Sequence, residues 1–410
     1  TTPEQVQGPA AVSLAVNGLI RSFQEAYDSY IRYASYITDE MIASGTITDR
    51  TDVDFRDVIP DNATLTTELF IPLQTARELA EEGIGQWTSS LGDEEFAEVE
   101  GTLREGIAWG NFVAGYTHVL FGELYCRAVI DPEGSAVTPD EAVQAGLGFL
   151  QEAQARAADA GLNAMSTAAV VGQGRAQLWL GQYDQAATTV SGVADDFAFA
   201  VEYSSNTPGQ NNELFQWTWG VLQTIRWTIG NGTAAERDFE LWPYLAEWES
   251  VGLIDPDPGL TADNAALDVT LQLLYTSQGS DILLASGWEA RMIEAEAELR
   301  QGDAASVQNA EDIVNALLTD PGQASNPMRS INPDVPTGAF AAVDFTAGDL
   351  EGNLTELARA RSAGLWLSGE RQATLRRFRD DGVDLYPVRR GDDVCLPIVQ
   401  RELDTNPNVS

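Results

Sequence analysis

Apolar residues recur at helical spacing along most of the 410-residue chain. Val143, Leu147, Leu150 and Ala157 form one such stripe, opened by Thr138-Pro139-Asp140-Glu141. Thr138 suits an N-cap that accepts from the amide three residues on, Glu141 reaches back to it, and Pro139 fits the first helical position. Ser166 or Thr167 starts a second helix that runs through Ala176 and Trp179 to Gly181, and a third begins at Tyr183 and runs to Val190. Turns this short force consecutive amphipathic helices into antiparallel pairs. The same pattern returns at Glu289–Arg300, Gly302 and Ala304–Leu318. Earlier helices are predicted over Gly8–Ala43, Thr66–Leu91 and Glu95–Cys126. A last long one is predicted from about Asp349 to Asp380, although Gly364 and Gly369 would weaken it in isolation.

Two stretches break this rhythm. Ala198–Gly287 is rich in Trp, Asn and Gly, and Thr319–Phe345 in Pro, Asn and Ser. Both read as long ordered loops laid over a helical scaffold, where binding residues tend to sit. No linker separates independent units. The expectation is a mostly α single domain over 1–410, with a helical-repeat core at about 8–195 and 289–380, a loop-rich aromatic segment at 198–287 and a C-terminal tail at 381–410.

Composition narrows the function. Hydrophobic residues make up 44%, as in a globular chain, and no run of about 18 apolar residues offers a membrane-spanning helix. The net charge is −40, and all 23 basic residues are arginine. Such a field repels phosphate backbones and argues against a nucleic-acid partner. It fits a salty habitat, where self-repulsion is screened, or equally a genome that favours arginine over lysine. No nucleophile elbow, phosphate loop or zinc-protease motif is present, and nothing points to a cofactor. Asp255-Pro256-Asp257-Pro258-Gly259 lacks the closing carboxylate of a calcium loop. His118, within the apolar Tyr116–Phe121 run, reads as a core residue.

Candidate binding residues lie in the aromatic segment. Phe215, Trp217, Trp219, Trp227, Trp242, Tyr244 and Trp248 hold five of the ten tryptophans. Flat aromatic faces stack on sugar rings, while Arg226, Arg237, Asp238, Asn211 and Asn212 could meet hydroxyls. Trp227, Trp242, Tyr244, Trp248 and Arg237 are the candidate ligand contacts. Alternating Phe215, Trp217 and Trp219 fit a strand face or a core plug instead. In the predicted loop Thr46–Arg56, Arg50 could clamp a carboxylate or stack on a sugar, or lie in a solvated turn. Arg371, Arg376, Arg377 and Arg379 form a basic group that suits either an acidic ligand or internal salt bridges to the acidic repeats. Cys126 and Cys395 are either bridged, tying the helical core to the C-terminal segment, or two buried thiols.

Four stretches carry a resemblance. The tail Leu396–Ser410, LPIVQRELDTNPNVS, resembles the LPIP, acidic residue and NPN that close proteins of the SusD/RagB family. Arg361–Arg377 resembles the family's ERRxELxxEGxRxxDLxR helix, matching at Arg361, Leu365, Gly369, Arg371, Leu375 and Arg377. It departs at Ala360, Gly364, Ser368 and Thr374, and Val399 replaces the second proline of the tail. Ala290–Ala297 with Arg300 and Gly302 is similar to LAEAxxRxG, and Gly174–Ala186 to the family's tetratricopeptide-type helix pair. Asp39–Gly45 and Gly122–Cys126 look like a compact subgroup.

The resemblance implies a tetratricopeptide-like scaffold whose loops form the binding face, and a non-catalytic nutrient-binding protein on the outer face of a bacterial outer membrane. It implies a SusC-like TonB-dependent transporter as partner, an oligosaccharide or peptide as ligand, and a lipid anchor on a cysteine that would lie before Thr1. Two other readings stand beside it. A helical-repeat adaptor or self-assembling surface protein would show a large exposed apolar patch with no pocket. A glycoside hydrolase of the α/α-barrel type would show two carboxylates facing each other in an aromatic cleft.

Overall fold

A computed structural model of the chain describes residues 8–38, 40–131, 134–219, 227–228, 249, 253–255, 270–320, 326–331, 333, 335, 338–387 and 390–409. Its long helices are α1 (Pro9–Ile37), α2 (Ile71–Ser90), α3 (Glu100–Leu124), α4 (Pro139–Asp159), α5 (Asn163–Trp179), α6 (Tyr183–Val190), α7 (Gly287–Gln301), α8 (Ala304–Leu318), α9 (Leu350–Leu365) and α10 (Arg371–Asp380). From α1 to α8 each helix packs on the next in the chain, and the short turns between α4, α5 and α6 and between α7 and α8 require antiparallel pairing there. The Thr138 capping box forms: Thr138 Oγ1 accepts the Glu141 N–H at 3.3 Å, and Glu141 accepts the Thr138 N–H at 2.7 Å. One contiguous apolar core runs from Val12 to Val399. Tyr27, Tyr30, Tyr33 and Tyr36 are all fully enclosed in it.

Several predicted elements differ in the structure. The first helix ends at Ile37, and Ile42–Ala43 then pairs antiparallel with Trp227–Thr228. The third predicted helix starts as a 3-10 turn at Glu94–Val99, and the second as a π turn at Thr66–Phe70. The predicted Thr46–Arg56 loop contains a helix, Thr48–Asp54. Phe215, Trp217 and Trp219 lie on or at the end of the short helix Glu213–Thr218, not on a strand. Alternation over five residues is too short to separate the two periods.

The expected helix over Asp349–Asp380 is also interrupted. α9 stops at Leu365, and Trp366–Glu370 forms a buried turn before α10. Leu367 and Gly369 both adopt positive φ, at 55° and 79°. The turn persists because its freed carbonyls are taken: Leu367 O accepts from Tyr275 Oη at 3.1 Å, Ser368 O from Tyr27 at 2.9 Å, and Gly369 O from Tyr30 and Arg175, each at 3.1 Å. Gly364, near the end of α9, lets the fully buried Trp288 ring press onto the helix backbone; a Cβ there would meet the ring at 1.9 Å.

Among the described residues, the interrupted stretch 198–287 contributes strands to three small two-stranded sheets, one of which borders the site. β1 (Ala198–Val201) pairs antiparallel with β2 (Ile282–Ser286), Phe199 opposite Ala285 and Ala200 opposite Leu283. A bulge between Phe199 and Ala200 breaks the side-chain alternation of β1.

Candidate functional site

The residues that carry the family resemblance are brought together inside the protein. Glu123, at the end of α3, is fully buried and receives Arg175 of α5 in a two-pronged pair at 2.7 and 2.6 Å. Tyr30 Oη donates to the same carboxylate at 2.9 Å. Beside this pair, Glu296 of α7 is also fully buried. It accepts from Arg361 at 2.8 Å, Arg377 at 2.9 Å and Arg300 at 3.1 Å. Burial alone would favour a neutral Glu296, but the three cations outweigh it and hold its pKa down to about 2. Glu289 and Glu370 are also buried, and burial pushes both carboxyls up. This interior set of ion pairs joins α3 to α5, and α7 to α9 and α10. Its charges are sequestered from solvent, so it holds the scaffold and presents no face to a ligand.

The basic group on α10 is used the same way. Arg371 donates to Thr38 O and Ser362 Oγ, and Arg376 to the carbonyls of Gly122, Glu123 and Tyr125 while lying over Trp179. Arg379 pairs with Asp384 at 3.3 Å on the surface. His118 Nε2 lies 2.7 Å from Glu81 Oε1, with its ring against Phe149.

A disulfide joins Cys126 to Cys395, and the flanking chains run parallel, Cys126 N–H donating to Leu396 O and Leu396 N–H to Leu124 O. Arg56 clamps the same tail, donating to the carbonyls of Pro387, Asp392 and Asp393.

The predicted ligand contacts separate. Arg50 is buried on Thr48–Asp54, where its carboxylate partner is internal: it donates to Glu68 at 2.6 and 3.2 Å and lies over the Trp217 ring at 4.6 Å. It is therefore not part of a solvated turn. Trp227 belongs to the strand paired with Ile42–Ala43, and its side chain lies outside the described residues. Arg237, Trp242, Tyr244 and Trp248 also lie outside them.

The structure offers a cleft elsewhere. About 390 Å³ of open space lies between α1, α3, the start of α5 and β1. Trp109 and Phe199 are its half-buried aromatic walls, and Phe23 is part of its floor. The bulge turns consecutive β1 residues toward this space. Phe112 braces both aromatics, with ring centroids 5.8 Å from Trp109 and 5.4 Å from Phe199. Polar groups stand at the rim. Gln24 Nε2 donates to Glu202 O at 2.6 Å, and Asp281 Oδ1 accepts the Tyr203 N–H at 2.9 Å. Desolvation raises the Asp281 pKa, and the nearby Glu202 charge adds to it. An aromatic cleft of this size with a few convergent polar groups is the usual form of a small-ligand site. Sequence reasoning passed over Gln24, Trp109, Phe199 and Asp281 because they come from four separate elements. Their only individual signal was a tryptophan in an otherwise apolar helix.

No protein-family model matches the sequence, and no curated protein matches it either. Solved structures do. A SusD superfamily protein of Bacteroides vulgatus superposes with a TM-score of 0.64 at 12% identity, over 98% of each chain. A SusD/RagB family protein of Bacteroides thetaiotaomicron gives 0.64 at 15% identity, covering 97% of this chain and 94% of that one. The chain has the SusD fold. NanU of Bacteroides fragilis shares it, with a TM-score of 0.66 at 12% identity over 99% and 96% of the two chains. The tetratricopeptide-like helical scaffold expected from the motifs is thus the architecture found, and it is not the α/α barrel that the hydrolase reading required. Among the described residues of this SusD-like chain, no helix is long and apolar enough to cross a membrane.

Proposed function

We propose that this protein is a member of the SusD/RagB family and acts as a non-catalytic nutrient-binding protein at the bacterial cell surface. The whole chain works as one unit, anchored to the outer membrane by a lipid. It captures an oligosaccharide or other nutrient and delivers it to a SusC-like TonB-dependent transporter. The observation that carries this reading is the agreement of fold over nearly the full length of both chains with SusD superfamily proteins. The motif residues support it, since Arg361 and Arg377 meet on the buried Glu296 and Arg175 pairs with the buried Glu123. The cleft between Trp109 and Phe199 supplies a place for a ligand.

The test is a pull-down from native outer membranes in mild detergent, with mass spectrometry of whatever co-purifies. A stoichiometric TonB-dependent barrel is the expected result. Self-association alone, with no barrel at any salt concentration, would overturn the uptake role and favour a self-assembling surface protein.

A further inference from the structure

Among the described residues, both charged side chains at the aromatic cleft are carboxylates. Asp281 uses one carboxylate oxygen on the Tyr203 N–H, and among the described residues its second oxygen has no partner. Gln24 commits its Nε2 to Glu202 O, while its Oε1 is buried without a hydrogen bond. Glu202 adds an exposed carboxylate beside them. Among the described residues, no basic side chain lines the cleft. Arg21, next to the lining residue Ile20, points elsewhere: it pairs with Glu25 at 3.7 Å and lies against Gly209. Two carboxylates beside aromatic walls suit a ligand that bears positive charge.

We infer that the cleft binds a sugar carrying a protonated amine, an amino sugar, with its ring on Trp109 and Phe199 and its ammonium at Asp281 and Glu202. This rests on the reading that the cleft is the nutrient site. A neutral sugar satisfies the hydrogen bonds but leaves two carboxylates without a counter-charge. A uronate would add a third negative charge to them. Desolvation, with the Glu202 charge adding to it, raises the Asp281 pKa, and a bound cation offsets both. The field of a chain with net charge −40 draws such a ligand in and repels an acidic one.

The experiment is calorimetric titration of the full chain, in mildly acidic buffer, with three probes of equal length. They are a glucosamine tetramer, its N-acetylated form and an oligogalacturonate. Variants are Asp281→Asn, Trp109→Ala and, as a control for the general field, Asp404→Asn on the C-terminal helix Gln400–Thr405. The glucosamine tetramer should bind roughly fivefold tighter than the acetylated one. Asp281→Asn should abolish that preference and leave the acetylated tetramer unchanged. Asp404→Asn should alter neither, and Trp109→Ala should weaken both while melting like the wild type. Equal affinities, or a preference for galacturonate, with Trp109→Ala still weakening binding, would overturn the amine inference and spare the cleft. A loss of preference in Asp404→Asn as large as in Asp281→Asn would assign it to the general field and overturn the inference too. Binding that ignores Trp109→Ala, or no binding of any probe, would overturn the cleft itself.

Discussion

Glu296→Gln removes one charge from a fully enclosed ionic node of the fold. Glu296 has no solvent exposure and accepts hydrogen bonds from Arg300, Arg361 and Arg377. Its pKa falls from an ordinary 4.5 to about 2, which corresponds to roughly 3 kcal/mol of stability supplied by the ionised carboxylate. Because the folded value lies below the unfolded one, this contribution is complete above about pH 4.5 and is lost as pH falls toward 2. The amide of the variant keeps the volume but leaves three guanidiniums without their shared anion. Breaking a buried pair in this way costs about 3–5 kcal/mol. The two routes agree in size. Urea unfolding of both proteins, followed by tryptophan fluorescence and far-ultraviolet dichroism from neutral to acid pH, measures the difference directly. Taking the difference cancels the titration of the other carboxylates. The gap should be at least about 3 kcal/mol near neutrality and should narrow as the pH approaches 2. A gap under about 0.5 kcal/mol near neutrality, or one that does not change with pH, would refute the reasoning.

Other consequences are open to direct measurement. Replacing Cys126 and Cys395 by serine should lower stability by roughly 2–5 kcal/mol, since the disulfide closes a long stretch of chain; melts that coincide for wild type and variant would refute a stabilising role. Gly364→Ala gains about 1 kcal/mol of helix propensity but drives a methyl into Trp288, an overpacking cost of about 1–3 kcal/mol or more. Its melting temperature should therefore fall, and a rise would mean that Trp288 can shift. Raising NaCl from about 10 mM to 1 M shortens the Debye length from about 30 to 3 Å. With a net charge of −40 the melting temperature should climb over that range, and a flat response would show that self-repulsion is not limiting.

The sequence by itself determined the local, repeating part of this protein. Helices such as Pro139–Asp159 carry their own start signals and stripes, and their turns are too short to allow anything but antiparallel pairing. It also placed Arg175, Glu296, Arg361 and Arg377 in separate motifs, without saying which residue would meet which. Tertiary structure decided that pairing, because the partners are as much as 81 residues apart and only their common burial makes each choose the other. It decided the turn at Trp366–Glu370, where tyrosine hydroxyls from α1 and from Tyr275 replace lost helical bonds. It placed Arg50 on Glu68 and Trp217 within the chain. It also made the cleft, whose aromatic and acidic residues come from α1, α3 and the two ends of a stretch that reads as loop. Local propensity acts over a few residues, whereas a binding site needs side chains that only the packing of distant elements brings together.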